Sequence, residues 1–210
     1  MRIVLKLINI NKTILDLMNL AKKLFISLGI AASMSVTPTF SEETSKGYYF
    51  TGSIGGSVIS DIDIVGTNNR ITFDEGLGFD LGLGYDFGKT RIEGTWMRGQ
   101  SPKGTNSGLV FEDDTRVDSI SLSGYYDFRE SKKWSPFVGL SIASTKVEIS
   151  GVDDTGTGYG LAFGVSYKSS DKAEIFVKSH ALVMPDLDFG NFKVTNGNYG
   201  IGTIGVRYRF

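Results

Sequence analysis

The sequence predicts an all-β fold, an eight-stranded antiparallel up-and-down barrel that spans a membrane. Three observations carry that expectation. From Lys46 onward the apolar residues recur with a period of two. The connections between these runs are short and long in turn. Ahead of the first run lies a basic stretch and then an apolar segment too short to cross a bilayer as a helix.

Composition narrows the class. A chain of 210 residues favours one domain, or one domain plus a leader. The formal net charge of −1 offers no strong field for nucleic acid. The absence of cysteine excludes a disulfide framework, a thiolate metal site and a cysteine nucleophile. Glycine is abundant, at 27 residues, and interleaves with tyrosine and phenylalanine as in tightly packed β-structure. Mean hydropathy is −0.03. A membrane protein built of helices would be far more apolar, whereas half the strand residues of a barrel face inward.

The leader comes first along the chain. Residues 1–40 carry Arg2, Lys6, Lys12, Lys22 and Lys23 against a single acid, Asp16. The apolar run from Leu24 to Val36 has the length of a signal-peptide core, and Pro38 breaks the helix after it. Thr39 and Ser41 supply small residues for cleavage after Ser41, and cleavage after Ser33 or Ser35 competes. Met18 would be a more ordinary start. The expected organisation is a signal peptide over residues 1–41 and a barrel over 42–210. An amphipathic helix of the mature protein is the competing reading of the leader.

The first strand sets Phe50, Gly52, Ile54, Gly56 and Val58 against Tyr49, Thr51, Ser53, Gly55 and Ser57. In the second, Leu77, Phe79, Leu81, Leu83, Tyr85 and Phe87 oppose Gly78, Asp80, Gly82, Gly84 and Asp86, and Gly88-Lys89-Thr90 turns the chain. The third has Ile92, Gly94 and Trp96 against Arg91, Glu93, Thr95 and Met97. The fourth pairs Ile120, Leu122, Gly124, Tyr126 and Phe128 with Ser119, Ser121, Ser123, Tyr125 and Asp127. After a turn over residues 129–133, the fifth aligns Trp134, Pro136, Val138, Leu140 and Ile142. The sixth places Tyr159, Leu161, Phe163, Val165 and Tyr167 opposite Gly158, Gly160, Ala162, Gly164 and Ser166. Beyond the turn Ser169-Ser170-Asp171, the seventh sets Ala173, Ile175, Val177 and Ser179 against Glu174, Phe176, Lys178 and His180. The eighth has Ile204, Val206, Tyr208 and Phe210 against Thr203, Gly205, Arg207 and Arg209.

Several runs approach the ten or so residues that cross a bilayer at a tilt. Long polar connections are expected over residues 60–70, 101–115, 146–156 and 184–197. The larger apolar residues fall on the face that would meet lipid; Gly, Ser, Thr and the charges fall on the lumen face. Aromatics at strand ends, Tyr48, Tyr85, Phe87, Tyr126, Phe128, Trp134, Tyr167, Tyr208 and Phe210, suit the girdles of such a barrel. Lipid cannot satisfy an open sheet edge, so the eighth strand must pair with the first.

Three segments carry a family resemblance: the ending Val206-Arg207-Tyr208-Arg209-Phe210, the hairpin closures Gly84-Tyr85-Asp86-Phe87 and Gly124-Tyr125-Tyr126-Asp127-Phe128, and the strand opening Trp134-Ser135-Pro136-Phe137-Val138-Gly139-Leu140. Over residues 47–210 the chain resembles the small eight-stranded outer-membrane barrels: the OmpA-like transmembrane domain, OmpX-type proteins and opacity-type surface porins. The resemblance implies a Gram-negative outer-membrane location, and the even strand count puts both termini on the short-turn side, the periplasm. It implies that Val206, Tyr208 and Phe210 form the signal read by the barrel-assembly machinery. Periplasmic chaperones, outer-membrane lipid and lipopolysaccharide are the implied partners. No peptidoglycan-binding domain follows Phe210 in the sequence, so an OmpA-type wall contact is not expected.

Inward parity gathers charges of both signs: Asp80, Glu93, Glu174, Lys178 and Arg207, with Arg91 and Arg209 nearer the rim. An eight-strand interior is just wide enough for side chains to fill it. The expected role is a paired network that plugs the lumen, and a gated ion path is the rival. His180 is the lone histidine, and Ser179 beside it faces the other way, so no catalytic pair and no enzyme is expected. The clusters Glu112-Asp113-Asp114, Asp153-Asp154, and Asp186 with Asp188 lack the spacing of a calcium loop and read as solvated surface. Lys132, Lys133 and Lys172 in the short turns also read as solvated. No cofactor or metal is expected. The functional expectation is a structural or surface role in envelope integrity, adhesion or recognition; passage of small solutes or ions through the lumen is the alternative.

Overall fold

A computed structural model describes residues 46–60, 62–64, 70–101, 104–106, 109–111, 115–129, 133–149, 151–184, 186–188, 193–195 and 197–210. The leader expected over residues 1–41 lies outside the described residues. In chain order the strands are β1 (Gly47–Ile59), β2 (Ile62–Ile64), β3 (Arg70–Phe73), β4 (Gly76–Asp86), β5 (Thr90–Ser101), β6 (Gly104–Asn106), β7 (Leu109–Phe111), β8 (Thr115–Asp127), β9 (Trp134–Ile149), β10 (Val152–Lys168), β11 (Ala173–Val183), β12 (Leu187–Asp188), β13 (Lys193–Thr195) and β14 (Asn198–Arg209).

Eight of them close a barrel in the order β1-β14-β11-β10-β9-β8-β5-β4. Every neighbouring pair is antiparallel. Closure runs from Tyr49 opposite Arg209 to Ile59 opposite Tyr199, so no backbone edge faces lipid along the span. The eight strands are those expected from the period-two pattern, and their parity is as read: Leu83 and Leu140 are each 68% exposed on the outer face, whereas Asp80 on the inner face is fully buried. A soluble barrel would invert that arrangement.

The connections at one end are tight. Gly88 takes a left-handed backbone (φ 112°), and Asp86 fixes the turn by accepting a hydrogen bond from the Gly88 amide at 2.8 Å. At the other end the expectation of four long loops needs correcting. Residues 146–149 and 152–156 are strand, not loop. β9 and β10 continue through them as a paired ladder to Ile149 opposite Val152, with Gly151 (φ 80°) at the tip. Outside the membrane the outward face of a strand is free to be polar, so Lys146, Glu148 and Asp153 do not interrupt the sheet. The other three long connections contribute β2, β3, β6, β7, β12 and β13 to a second six-stranded sheet.

The nine strand-end aromatics all lie at the tight-turn end. They pair around the rim, as in Tyr48 with Tyr85 (4.9 Å between centroids), Tyr126 with Phe128 (5.1 Å) and Trp134 with Tyr167 (4.8 Å). At the loop end, Trp96 packs edge-on against Phe79 at 5.3 Å.

Candidate functional site

The barrel interior is where sequence parity concentrates polar chemistry, and it is filled. Asp80, Glu93, Glu174, Lys178 and Arg207 are all buried on the inner face. They fall into three groups. Lys178 on β11 reaches across to Asp80 on β4, with Nζ 3.2 Å from both carboxylate oxygens, and the Ser53 hydroxyl donates to Asp80 at 2.6 Å. Arg207 on β14 pairs with Glu174 on the adjacent β11. Glu93 on β5 accepts a hydrogen bond from Thr95 at 2.9 Å and lies 3.8 Å from Arg91.

Three further residues, Asp86, Asp127 and Arg129, belong to this network although the sequence reading did not name them as members. Asp127 forms a two-point pair with Arg91. Asp86 receives Arg129 at 2.6 Å and Arg209 at 2.8 Å, and Arg209 also reaches Glu174 at 2.6 Å. Arg91 and Arg209, at the tight-turn end of the lumen, are also buried and paired, at 1% and 4% exposure. The lumen holds five acids (Asp80, Asp86, Glu93, Asp127, Glu174) and five bases (Arg91, Arg129, Lys178, Arg207, Arg209) among the described residues. This balance matters because a buried charge without a partner is strongly destabilising.

Aromatic rings interleave with the cations. The Arg91 guanidinium lies over Tyr125 at 4.5 Å and Phe137 at 5.1 Å, and Arg207 lies over Tyr49 at 5.4 Å and Phe176 at 5.6 Å. Between Thr51, Arg91, Glu93, Lys178, Arg207 and these rings no space remains for a water molecule. Toward the loop end the interior turns apolar: Ile59, Met97, Val117, Ala143, Val147, Leu182, Met184, Leu187, Tyr199 and Ile201 form one buried cluster. Sequence reasoning missed this layer, because large apolar residues of a barrel are by default assigned to lipid. Met97 of this layer does sit at inward parity in the sequence, and that was the available signal.

His180 faces the lumen, and its Nε2 lies 2.8 Å from the Ser141 hydroxyl of β9, a contact no sequence spacing could show. Nδ1 of His180 has no hydrogen-bond partner among the described residues, so no acid orients the ring. Both side chains are buried, and the pair ties β9 to β11 across β10. Val206 and Tyr208 on the outer face of β14, and Phe210 just after it, are exposed by 47%, 37% and 70%. Glu112-Asp113-Asp114 and Lys132 lie outside the described residues.

A closed antiparallel barrel with an apolar exterior and a charge-balanced interior is a transmembrane protein of the outer-membrane type. Residues 26–210 match the outer membrane protein beta-barrel domain, and the chain belongs to that family. It is a protein of the outer membrane, with its tight turns in the periplasm and its long connections outside the cell. Among solved structures, Neisserial surface protein A (NspA) is 20% identical, with a TM-score of 0.60 over 78% of this chain and 97% of that one. OprG from Pseudomonas aeruginosa is 14% identical, with a TM-score of 0.59 over 80% of this chain and 98% of that one. Both likenesses are of fold. No curated protein matches the sequence.

Proposed function

We propose that this chain is a sealed barrel serving as a rigid membrane anchor for a surface structure, with a role in envelope integrity and loop-mediated adhesion or recognition. The observation that carries this reading is the filled lumen. A balanced ion network at the periplasmic half is followed by an apolar layer at the outer half. An ion entering from either side meets a paired network or a dry apolar constriction, and neither replaces its hydration shell. The projecting β9–β10 hairpin and the six-stranded loop sheet then form the working surface.

The same proposal gives the remaining residues their roles. Asp80, Glu93, Glu174, Lys178 and Arg207 lock the strands to one another. Val206 and Tyr208 on the outer face of β14, and Phe210 just after it, serve as the contact for the barrel-assembly machinery after delivery by periplasmic chaperones. Lipopolysaccharide surrounds the outer rim.

Single-channel recording of the refolded chain in a planar bilayer tests the sealed lumen. A folded, heat-modifiable barrel that carries no current is the expected result. Reproducible current steps would overturn it in favour of solute passage.

A further inference from the structure

The periplasmic rim carries a collar of lysines that the lumen network does not use. Lys46 precedes β1, Lys89 sits in the β4–β5 turn, Lys133 in the β8–β9 turn, and Lys168 and Lys172 flank the β10–β11 turn. The collar therefore surrounds the barrel. Lys46, Lys89, Lys133 and Lys172 are exposed and Lys168 is half-buried.

Three features make this more than scattered surface charge. First, the backbone of the collar is fixed from hairpin to hairpin. The carbonyl of Lys89 accepts from the Asp127 amide (2.8 Å), that of Lys133 from the Lys168 amide (2.8 Å) and that of Lys172 from the Arg209 amide (2.7 Å). The Lys46 side chain lies over Gly88, beside Lys89. Second, the nearby acids are turned away. Asp86, Asp127 and Glu174 are buried and paired with lumen arginines. Among the described residues, the exposed acid side chain at this end is Asp171, which pairs with Lys168 at 3.1 Å. The opposite end exposes Asp74, Glu75, Asp153, Asp186 and Asp188 among the described residues, with Lys146 paired to Asp153 at 3.1 Å.

Third, the height is right for lipid headgroups. Lys89 follows the girdle residue Phe87 by two positions, Lys133 precedes Trp134, Lys168 follows Tyr167, and Lys46 precedes Tyr48 by two. Girdle aromatics mark the membrane–water interface, and a lysine one or two residues beyond extends its ammonium to the phosphate level. We propose that this lysine collar binds the headgroups of anionic phospholipids in the inner leaflet of the outer membrane. A soluble or cell-wall polyanion fits less well, because the collar abuts the aromatic ring instead of projecting into the periplasm.

The two tryptophans report on opposite rims: Trp134 at the collar and Trp96 at the loop end. The full chain, as Trp96→Phe or Trp134→Phe, is refolded into vesicles of phosphatidylcholine and phosphatidylglycerol in which one lipid at a time is brominated. Quenching at Trp134 should show a preference for the anionic lipid of roughly fivefold, the factor that one lysine near a charged surface supplies. The preference should fall with salt, be absent at Trp96, and vanish when Lys46, Lys89, Lys133, Lys168 and Lys172 are all changed to Gln. Heat modifiability checks that the Gln variant folds. Equal quenching by both lipids at Trp134, or a preference that survives in the Gln variant, would overturn the proposal. So would lysine-dependent co-sedimentation with purified peptidoglycan in the absence of any lipid preference, which would assign the collar to the cell wall.

Discussion

Arg91 on β5 and Asp127 on β8 meet through two hydrogen bonds, Nε to Oδ2 at 2.7 Å and Nη2 to Oδ1 at 3.1 Å, with each residue 1% exposed. Neither partner can turn to water if the other is removed. Asp127→Ala should therefore lower stability by about 3–5 kcal/mol, since it strands a guanidinium among Tyr49, Tyr125 and Phe137. Replacing both, as Arg91→Met with Asp127→Leu, should cost much less, because the same rings then pack against apolar chains. Urea midpoints of the refolded barrel, followed by the gel shift between folded and unfolded forms, check the comparison. A double variant as unstable as Asp127→Ala alone would show that the pair does more than neutralise itself.

Glu93 separates a lock from a gate. It is 2% exposed, accepts from Thr95 and lies beside Arg91. Glu93→Ala should lower stability by about 2 kcal/mol, the scale of a lost charge-assisted hydrogen bond, and leave the bilayer without current. Glu93→Gln keeps an acceptor for Thr95 and should lose less. Current steps in either variant, with the urea midpoint unchanged, would mean that the lumen charges gate a path.

Strand number, parity and closure were legible in the sequence because lipid outside and packing inside impose opposite chemistries on alternate residues. Leu81, Leu83 and Leu140 could face only one way. Membership of the ion network was less legible. Asp86 and Arg129 are 43 positions apart and meet across β5, and Asp80 and Lys178 are 98 apart and meet only because the barrel closes. The β9–β10 extension was misread because Lys146, Glu148 and Asp153 look like loop residues, although Val147 and Ile149 keep the alternation going. The rule that large apolar residues meet lipid hid Leu182, Tyr199 and Ile201, which fill the upper lumen.

Gly139 shows how tightly the lower lumen is filled. A Cβ there would run into the Tyr125 ring, which is held edge-on to Phe137 at 5.8 Å and beneath Arg91. Gly139→Ala should cost about 1–3 kcal/mol through displacement of that ring. Gly124 on the neighbouring strand has nothing within 4 Å of the same position and faces outward, so Gly124→Ala should be neutral or mildly stabilising. The two urea midpoints, compared under one condition, test whether close approach at the ring is what requires glycine at 139.

Asp154 lies in a part of the tall hairpin that, among the described residues, has no second paired strand. β11 pairs with β10 only from Tyr159 onward, so the ladder from Val152 to Gly158 has β9 on one side and no strand register on the other. Here Asp154 accepts from the Thr155 amide at 2.8 Å and from the Asp188 amide at 2.7 Å, which caps the edge and fastens β12 against it. Asp154→Ala removes both acceptors. Amide hydrogen exchange at Thr155 and Asp188 should then accelerate, while the urea midpoint of the barrel moves by no more than about 0.5 kcal/mol equivalent, because the change lies beyond the membrane span. An uncapped edge also invites pairing with another chain, so the variant should self-associate more in detergent than the parent. Asp154→Asn keeps one strong acceptor and should fall between them. Unchanged exchange at Asp188 in the Ala variant would mean that β12 is held by other contacts and that the acid only decorates the edge.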